Sequence, residues 1–298
     1  MRLKFWGTRG SISTPGKQTV RYGGNTPCIE LRLAHNELVI LDAGTGIRNF
    51  GEQLIENGES IKAYLLVSHP HWDHIQGFPF FKPAFISGNE LTIVGGETDK
   101  VSLQKMIADQ MNRIYFPIQL KELKATLKFF RVKEGHFSMF NAQVQTLYLN
   151  HPSFAIGYRI TQGGKTVVYI SDNEPFDRRV AQAMKNVEKV IVDKYSKSNG
   201  DPNQRVFDFV YGADVLIHDA TYTPEEYVDR VGWGHSHYLF TLNVAAEGNV
   251  KRLVLFHHDP AHSDETVDEI LKKCKKEIRN RQYKFQCTAA AEGMEIEV

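Results

Sequence analysis

The feature that most constrains this chain is a run of metal-ligand side chains directly after a short apolar segment. Residues 63–67 are apolar and predict a strand, and they are followed by Ser68-His69-Pro70-His71-Trp72-Asp73-His74. In an extended segment residues i and i+2 point the same way, so His69 and His71 can bind one cation together. If a helix begins at Asp73, Asp73 and His74 turn toward a neighbouring position, where they can hold a second cation. Imidazole and carboxylate ligands without thiolate are typical of zinc, iron or manganese sites.

Further candidate ligands follow other predicted strands. His151 lies in Asn150-His151-Pro152, Asp172 lies in Ser171-Asp172-Asn173, and His257 begins His257-His258-Asp259. Each alone is typical of a turn residue or a helix cap. Strand ends converge on one edge of a sheet, so together with the first cluster these residues become candidate ligands. His258 is left out, because adjacent residues at a strand end face opposite ways.

Composition describes an ordinary folded, soluble chain. The 298 residues include 42% hydrophobic residues, and 36 basic against 35 acidic residues give a net charge of +1. This balance gives no global attraction for a nucleic acid or an anionic membrane, although a local basic patch remains open. The sequence shows neither a signal peptide nor an apolar run of membrane-spanning length. Three cysteines without framework spacing favour a reducing, cytoplasmic location.

The pattern of elements predicts an α/β fold with mixed β-sheets, because early strands neighbour as hairpins and later ones alternate with helices. A Gly163-Gly164 turn and a C-terminal helix over 263–279 are also expected. The predicted strands are Arg2–Trp6, Cys28–Leu33, Leu38–Leu41, Ala63–Val67, Leu91–Val94, Leu127–Phe130, Ala142–Leu149, Ala155–Thr161, Thr166–Ile170, Lys189–Val192, Val215–Ile217 and Arg252–Phe256.

We expect a single domain over 1–298. Residues 82–140 directly follow the histidine cluster, so they either form an insert that covers the site or belong to the core as an ordinary strand–helix–strand unit. In the first case Tyr115 and Phe116 would stack on a substrate ring.

The ligand pattern resembles the metallo-β-lactamase fold superfamily over nearly the whole chain. The matching positions are His69, His71, Asp73, His74, His151, Asp172 and His257. Leu41-Asp42-Ala43-Gly44 matches the family's turn at a strand end, where Asp42 would support the ligands. The resemblance implies an αββα sandwich of two mixed β-sheets flanked by helices, with two divalent metal ions where the sheets meet.

The resemblance also implies how the ligands are shared. One ion would be held by His69, His71 and His151, the other by Asp73, His74 and His257, and Asp172 would bridge them. Zinc is favoured, with manganese and iron as alternatives.

Two further segments are similar to the tRNA 3′-processing endonucleases and related phosphodiesterases. They are His218-Asp219-Ala220-Thr221-Tyr222 and Gly234-His235-Ser236. The similarity implies that His235 is catalytic and that a carboxylate, here Asp219 in place of the usual Glu, orients it. The glycine-rich segments 7–11 and 21–26 resemble the same group and either bring arginines to a phosphate or form plain turns. The chain has no glycine- and proline-rich arm, and with a charge of +1 this argues against tRNA as substrate.

The sequence therefore predicts a cytoplasmic binuclear-metal phosphodiesterase that acts on a nucleotide or nucleic-acid-type phosphodiester. The expected partner is a small-molecule or nucleotide phosphodiester substrate. A hydroxide shared by the metals would attack phosphorus, and His235 would protonate the leaving oxygen. Asp73 counts both as a ligand and as a catalytic residue. The alternatives are a metallohydrolase of an ester, lactone or thioester, and a non-catalytic metal-binding sensor. No membrane partner is expected, and a homo-oligomer remains open.

Overall fold

Two mixed β-sheets of seven strands each make up the framework of the computed structural model, which describes residues 1–98, 100–176 and 201–298. The chain divides into two compact units. The first unit holds Met1–Lys133, Met139–Asn141 and Ala291–Glu297, and the second holds Glu134–Ser138 and the described parts of Ala142–Ala290. None of the described helices is long and apolar enough to cross a bilayer.

The first sheet has the strand order β14-β1-β2-β3-β4-β5-β6, antiparallel from β14 to β3 and parallel from β3 to β6. Its strands are β1 (Arg2–Gly7), β2 (Cys28–Arg32), β3 (Leu38–Leu41), β4 (Lys62–Leu66), β5 (Glu90–Gly95), β6 (Thr126–Arg131) and β14 (Glu295–Glu297). The helices of this unit are α1 (Gly46–Glu56), α2 (Trp72–Ile75) and α3 (Leu103–Asp109), with 3₁₀ turns at Phe78–Phe80, Lys82–Phe85 and Leu120–Glu122.

Helix α1 covers the first sheet with a narrow apolar face. Ile47, Phe50 and Leu54 are buried at helical spacing and join a core cluster with Ile40 and Leu65 of the sheet. Residues three, four and seven apart lie on one face of a helix, so this spacing holds α1 against the sheet.

The second sheet has the order β13-β12-β11-β10-β9-β8-β7, with antiparallel pairing of β8, β9 and β10 and parallel pairing from β10 to β13. Its strands are β7 (Gly135–Met139), β8 (Ala142–Tyr148), β9 (Ile156–Gln162), β10 (Lys165–Ile170), β11 (Val215–Asp219), β12 (Arg252–Phe256) and β13 (Gln286–Ala289). Its described helices are α4 (Gln204–Val210), α5 (Pro224–Tyr227), α6 (Tyr238–Glu247) and α7 (Asp264–Asn280).

The predicted elements agree with these bounds. Every predicted strand on described residues is present to within two residues, and 189–192 lies outside the described residues. The Gly163-Gly164 turn is confirmed, since both residues have positive φ (58° and 76°). Helix α7 begins after the cap Ser263, whose hydroxyl accepts the Thr266 N–H.

The sequence missed strands β7, β13 and β14. All three are short, and β7 and β14 alternate with solvent-exposed polar residues instead of forming an apolar run. Their pairing depends on neighbouring strands rather than on their own composition.

The 82–140 segment contains two strands of the first sheet, β5 and β6, with α3 between them. The polypeptide that joins β5 to β6 therefore lies outside the strands of the sheet. Its role as a cover for the substrate site stays a prediction.

Candidate metal centre

The first group of candidate ligands occupies the loop after β4. His71 is still extended (φ −61°, ψ 148°) and caps α2, which begins at Trp72. The change from extended to helical backbone therefore occurs one residue before the predicted position. The rings of His69 and His71 lie 4.5 Å apart between centroids, and those of His69 and His74 lie 4.2 Å apart. His69, Asp73 and His74 are buried, whereas His71 is exposed.

A hydrogen-bond network behind these ligands fixes which ring nitrogen is available. The fully buried Asp42 accepts the Ser68 N–H at 2.7 Å and the Ser68 hydroxyl at 2.8 Å. His74 Nδ1 lies 2.7 Å from the same carboxylate, so Nδ1–H is the donor. The Ser68 oxygen, its proton already given to Asp42, accepts from His69 Nδ1 at 3.1 Å. His69 and His74 therefore present Nε2, the form in which a histidine binds a metal, and His74 Nε2 lies 3.2 Å from Asp73 Oδ2.

Close backbone packing holds the Asp73 side of this loop. A Cβ on Gly44 would lie 2.3 Å from the Asp73 carbonyl oxygen, so only glycine fits there. The Ser11 N–H donates to Asp73 Oδ2 at 2.7 Å. Arg9 is fully buried and donates from Nε to the Gly23 carbonyl at 2.8 Å. Arg9 therefore stabilises the glycine-rich turn.

The second group of candidate ligands lies at the carboxyl ends of strands in the second sheet. His151 comes after β8, Asp172 after β10 and His257 after β12. Strands β10, β11 and β12 are parallel neighbours in the sheet, which brings their ends to one edge. All three side chains are buried. His257 Nε2 lies 3.4 Å from Asp172 Oδ1, and His151 Nε2 lies 4.0 Å from Asp172 Oδ2.

The histidines of this second group are held in the same tautomer. His151 Nδ1 lies 3.0 Å from the Gly234 carbonyl, which can only accept, so Nδ1 is protonated. The Thr221 hydroxyl donates to the His257 carbonyl at 3.0 Å and therefore accepts from His257 Nδ1 at 3.2 Å. Both Nε2 atoms are thus available as ligands. Two sets of imidazole and carboxylate donors, buried apart from His71, have an arrangement that fits divalent metal ions.

His258 follows a different course from its neighbour. His257 has a positive φ of 58°, and His258 Nε2 donates to the Ala290 carbonyl at 2.9 Å. The two adjacent rings therefore have separate partners, as expected for successive residues at a strand end.

His235 lies beside this second group. Its ring stacks on His257 at 4.8 Å between centroids, and Asp172, His235 and His257 each offer a ligand atom within 4.8 Å of the others. His235 Nδ1 is 3.8 Å from Asp219 Oδ2, which is longer than a hydrogen bond. The two side chains lie within ion-pair distance without a direct hydrogen bond, and the predicted orientation of His235 by Asp219 stays a prediction. Asp219 accepts the Ser236 N–H at 2.7 Å and so holds the loop next to His235.

Asp219 itself is fully buried. Burial raises the pKa of its carboxyl above the ordinary value, and the contact of His218 Nδ1 with Oδ1 at 3.0 Å opposes that shift. Together with the Ser236 N–H, this contact compensates the buried charge. Asp219 is thus suited to positioning the backbone of the loop at Ser236.

Glu174 is the site residue that the sequence analysis missed. It is fully buried, and its carboxylate accepts the Tyr227 hydroxyl at 2.8 Å, the Gly232 N–H at 2.7 Å and the Gly234 N–H at 2.8 Å. These partners lie 53 to 60 residues further along the chain. Glu174 therefore holds the loop that carries His235, and only its position two residues after Asp172 hinted at a role.

The Gly234→Ala substitution tests the packing between this loop and His151. Gly234 has φ 89°, and an added Cβ would lie 2.1 Å from His151 Nδ1. We expect the substitution to lower the free energy of unfolding by about 1–3 kcal/mol through backbone strain, with a further loss from the displaced ring. Gly163→Ala is the control, since Gly163 also has positive φ but open space around it. Equal losses in urea unfolding would show that the contact with His151 does not matter.

Comparison with known proteins places this arrangement in a family. The family description "Beta-lactamase superfamily domain" matches residues 38–199, which is more than half of the chain. The ribonuclease Z of Staphylococcus carnosus (strain TM300) is 26% identical and aligns over 96% of this chain and 97% of that protein. This match agrees with the predicted resemblance to RNA-processing endonucleases.

Solved structures share the fold at low sequence identity. The metallo-β-lactamase fold protein YhfI from Bacillus subtilis aligns over 100% of this chain and 98% of its own, with a TM-score of 0.68 and 17% identity. Human tRNase Z, short form, aligns over 100% and 99% with a TM-score of 0.64 and 18% identity. The predicted metallo-β-lactamase fold is thus confirmed. The chain belongs to the β-lactamase superfamily.

Proposed function

We propose that this protein is a binuclear-metal-dependent hydrolase that cleaves a phosphodiester bond of a nucleotide or a nucleic acid. The observation that carries the proposal is the tautomer set of the buried histidines, each of which presents Nε2 because Nδ1 is engaged. The superfamily assignment and the relatives named ribonuclease Z support the reaction class.

Both ligand groups contribute to the proposed centre. One ion is assigned to His69, His71 and His151, the other to Asp73, His74 and His257, and Asp172 is assigned to both. Zinc is proposed because the donors are imidazole and carboxylate, and because the three cysteines are buried on β2, α7 and β13, outside the ligand loops. Bound divalent ions would stabilise charge on the phosphoryl oxygens and acidify an attacking water.

The chain's own residues supply the proton for the leaving group in this proposal. His235 protonates the leaving oxygen, a role for which an imidazole is suited near neutral pH. Glu174 and Asp219 hold the backbone N–H groups of Gly234 and Ser236 on either side of it. The same loop fixes His151 through the Gly234 carbonyl, so the loop positions both a metal ligand and the proton donor.

RNA, including tRNA, stays among the candidate substrates. The sequence argument against tRNA rests on a net charge of +1 for the whole chain, which does not describe a local surface. Relatives named ribonuclease Z and a structural neighbour named tRNase Z speak for an RNA phosphodiester. We place the enzyme in the cytoplasm, in keeping with three free, buried cysteines.

Activity with a small substrate panel tests the proposal. Zinc-loaded protein should hydrolyse bis-p-nitrophenyl phosphate and a dinucleotide, and should leave p-nitrophenyl acetate and a homoserine lactone intact. The Asp172→Asn protein is the matched control and should lose this activity, because an amide is a weaker ligand for two cations. Hydrolysis of the ester or lactone alone would favour a different metallohydrolase. Metal binding without any hydrolysis would favour a sensor.

A further inference from the structure

An aromatic pocket of about 650 Å³ lies next to the first ligand group, within the first unit. Its walls include Trp72, Phe80, Tyr115 and Phe116. Trp72 and Tyr115 are 77% and 79% exposed, which is unusual for such large side chains. Phe80 and Phe116 contact each other edge to face at 5.3 Å between ring centroids. Small-molecule sites have volumes of about 300–1,000 Å³, so the pocket is large enough for a ligand.

The pocket adjoins the ligand motif along the chain. Pro70 and Trp72, both in its lining, alternate with the candidate ligands His69, His71 and Asp73. The loop that carries the proposed metal ligands therefore also supplies one wall of the pocket. The other aromatic wall comes from the polypeptide between β5 and β6.

The charged and hydrogen-bonding groups of the lining indicate which chemical groups of a ligand the pocket can bind. Asp109 is the one charged residue among the described lining residues, and it is paired with Lys105 at 2.6 Å. The lining therefore offers no cation for a phosphate. The Gln110 side-chain nitrogen is buried and has no hydrogen-bond acceptor in the part of the chain that the structure describes. Buried donors are normally satisfied, so this lining side chain gains a partner when its amide turns toward a ligand acceptor in the pocket.

We propose that this pocket binds the nucleobase next to the scissile phosphodiester, stacked on Tyr115 and Trp72, with a base carbonyl accepting from Gln110. This inference rests on the proposed function and adds a specificity site to it. A planar ring with an in-plane acceptor matches aromatic walls and one unsatisfied amide, whereas the phosphate is left to the metal ligands.

Kinetics with two substrates that share a leaving group test the pocket. Uridine 5′-(p-nitrophenyl phosphate) carries a base, and methyl p-nitrophenyl phosphate carries none. Tyr115→Ala should raise the ratio of KM for the uridine substrate to KM for the methyl substrate about tenfold, since one base stack is worth about that much. Gln110→Leu should raise the ratio about threefold to tenfold through loss of one hydrogen bond. Ile114→Ala is the control, because Ile114 is 82% exposed beside Tyr115 and outside the pocket lining.

Binding of uridine itself gives a readout that does not depend on hydrolysis. Quenching of the protein's tryptophan fluorescence by uridine should yield a Kd that rises about tenfold in the Tyr115→Ala protein. If the Kd for uridine and the ratio of the two KM values are unchanged in both Tyr115→Ala and Gln110→Leu, the proposed nucleobase site is wrong. Uridine binding without hydrolysis of any phosphodiester would sustain the pocket and reject the proposed function. A dimer that dissociates on Tyr115→Ala, with unchanged uridine binding, would assign this surface to a second copy of the chain instead.

Discussion

Replacing His235 with alanine is expected to lower kcat for a dinucleotide about 10²–10⁴-fold, because general acid catalysis is typically worth that much. The leaving alkoxide has a high pKa and needs a proton in the transition state. With p-nitrophenolate as the leaving group the loss should be much smaller, because that anion is already stable near neutral pH. Steady-state kinetics on the dinucleotide and on bis-p-nitrophenyl phosphate measure the difference in kcat loss.

The control for this experiment is His262→Ala, which removes a buried histidine whose Nε2 lies 2.9 Å from Glu226 instead of the ligand group. It should leave both rates near the original values. His235 also lies within 4.8 Å of ligand atoms of Asp172 and His257, so the metal content must be measured in each variant. Equal losses on both substrates together with a lost metal ion would make His235 a ligand. Equal losses with full metal content would make it a structural residue.

Metal analysis is expected to find two divalent ions per chain, and removing them should lower Tm. Two sites loaded at 100 times their Kd contribute roughly 5 kcal/mol to stability. For a chain of this size such a loss lowers Tm by about 10 °C. Thermal unfolding before and after chelation, followed by re-addition of zinc, measures this effect.

Asp42 provides a graded version of the same test. Asp42→Asn replaces the carboxylate that accepts from His74 Nδ1, and changes of this kind typically lower metal affinity about 10–100-fold. Asp214→Asn is the matched control, a buried carboxylate that accepts the Thr166 N–H in the second sheet away from the ligand loops. No more than one ion per chain after reconstitution, or equal affinity in the Asp42 and Asp214 variants, would contradict the proposed centre.

The sequence by itself determined the ligand types and the strands that carry them. The run from His69 to His74 is local, so its spacing already implied an extended segment followed by a helix turn, and the structure has this change at Trp72. Strand positions were equally accessible, since short apolar runs and alternating apolar and polar residues both predict strands directly. The missed strands β7, β13 and β14 are short. β13 and β14 pair with strands far away in the sequence, and β7, the neighbour of β8 in the sheet, lacks an apolar run.

Only the tertiary structure decided how the ligands are supported. The protonated nitrogen of His151 is set by the Gly234 carbonyl, which lies 83 residues away along the chain. The loop that supplies this carbonyl is held by Glu174, and Asp219 accepts the Ser236 N–H while its carboxylate lies 3.8 Å from His235 Nδ1. A side-chain pattern reports which face of its own element a residue lies on, because that periodicity is local. Hydrogen-bond partners between distant loops follow from the packing of whole sheets, so no window of sequence contains them.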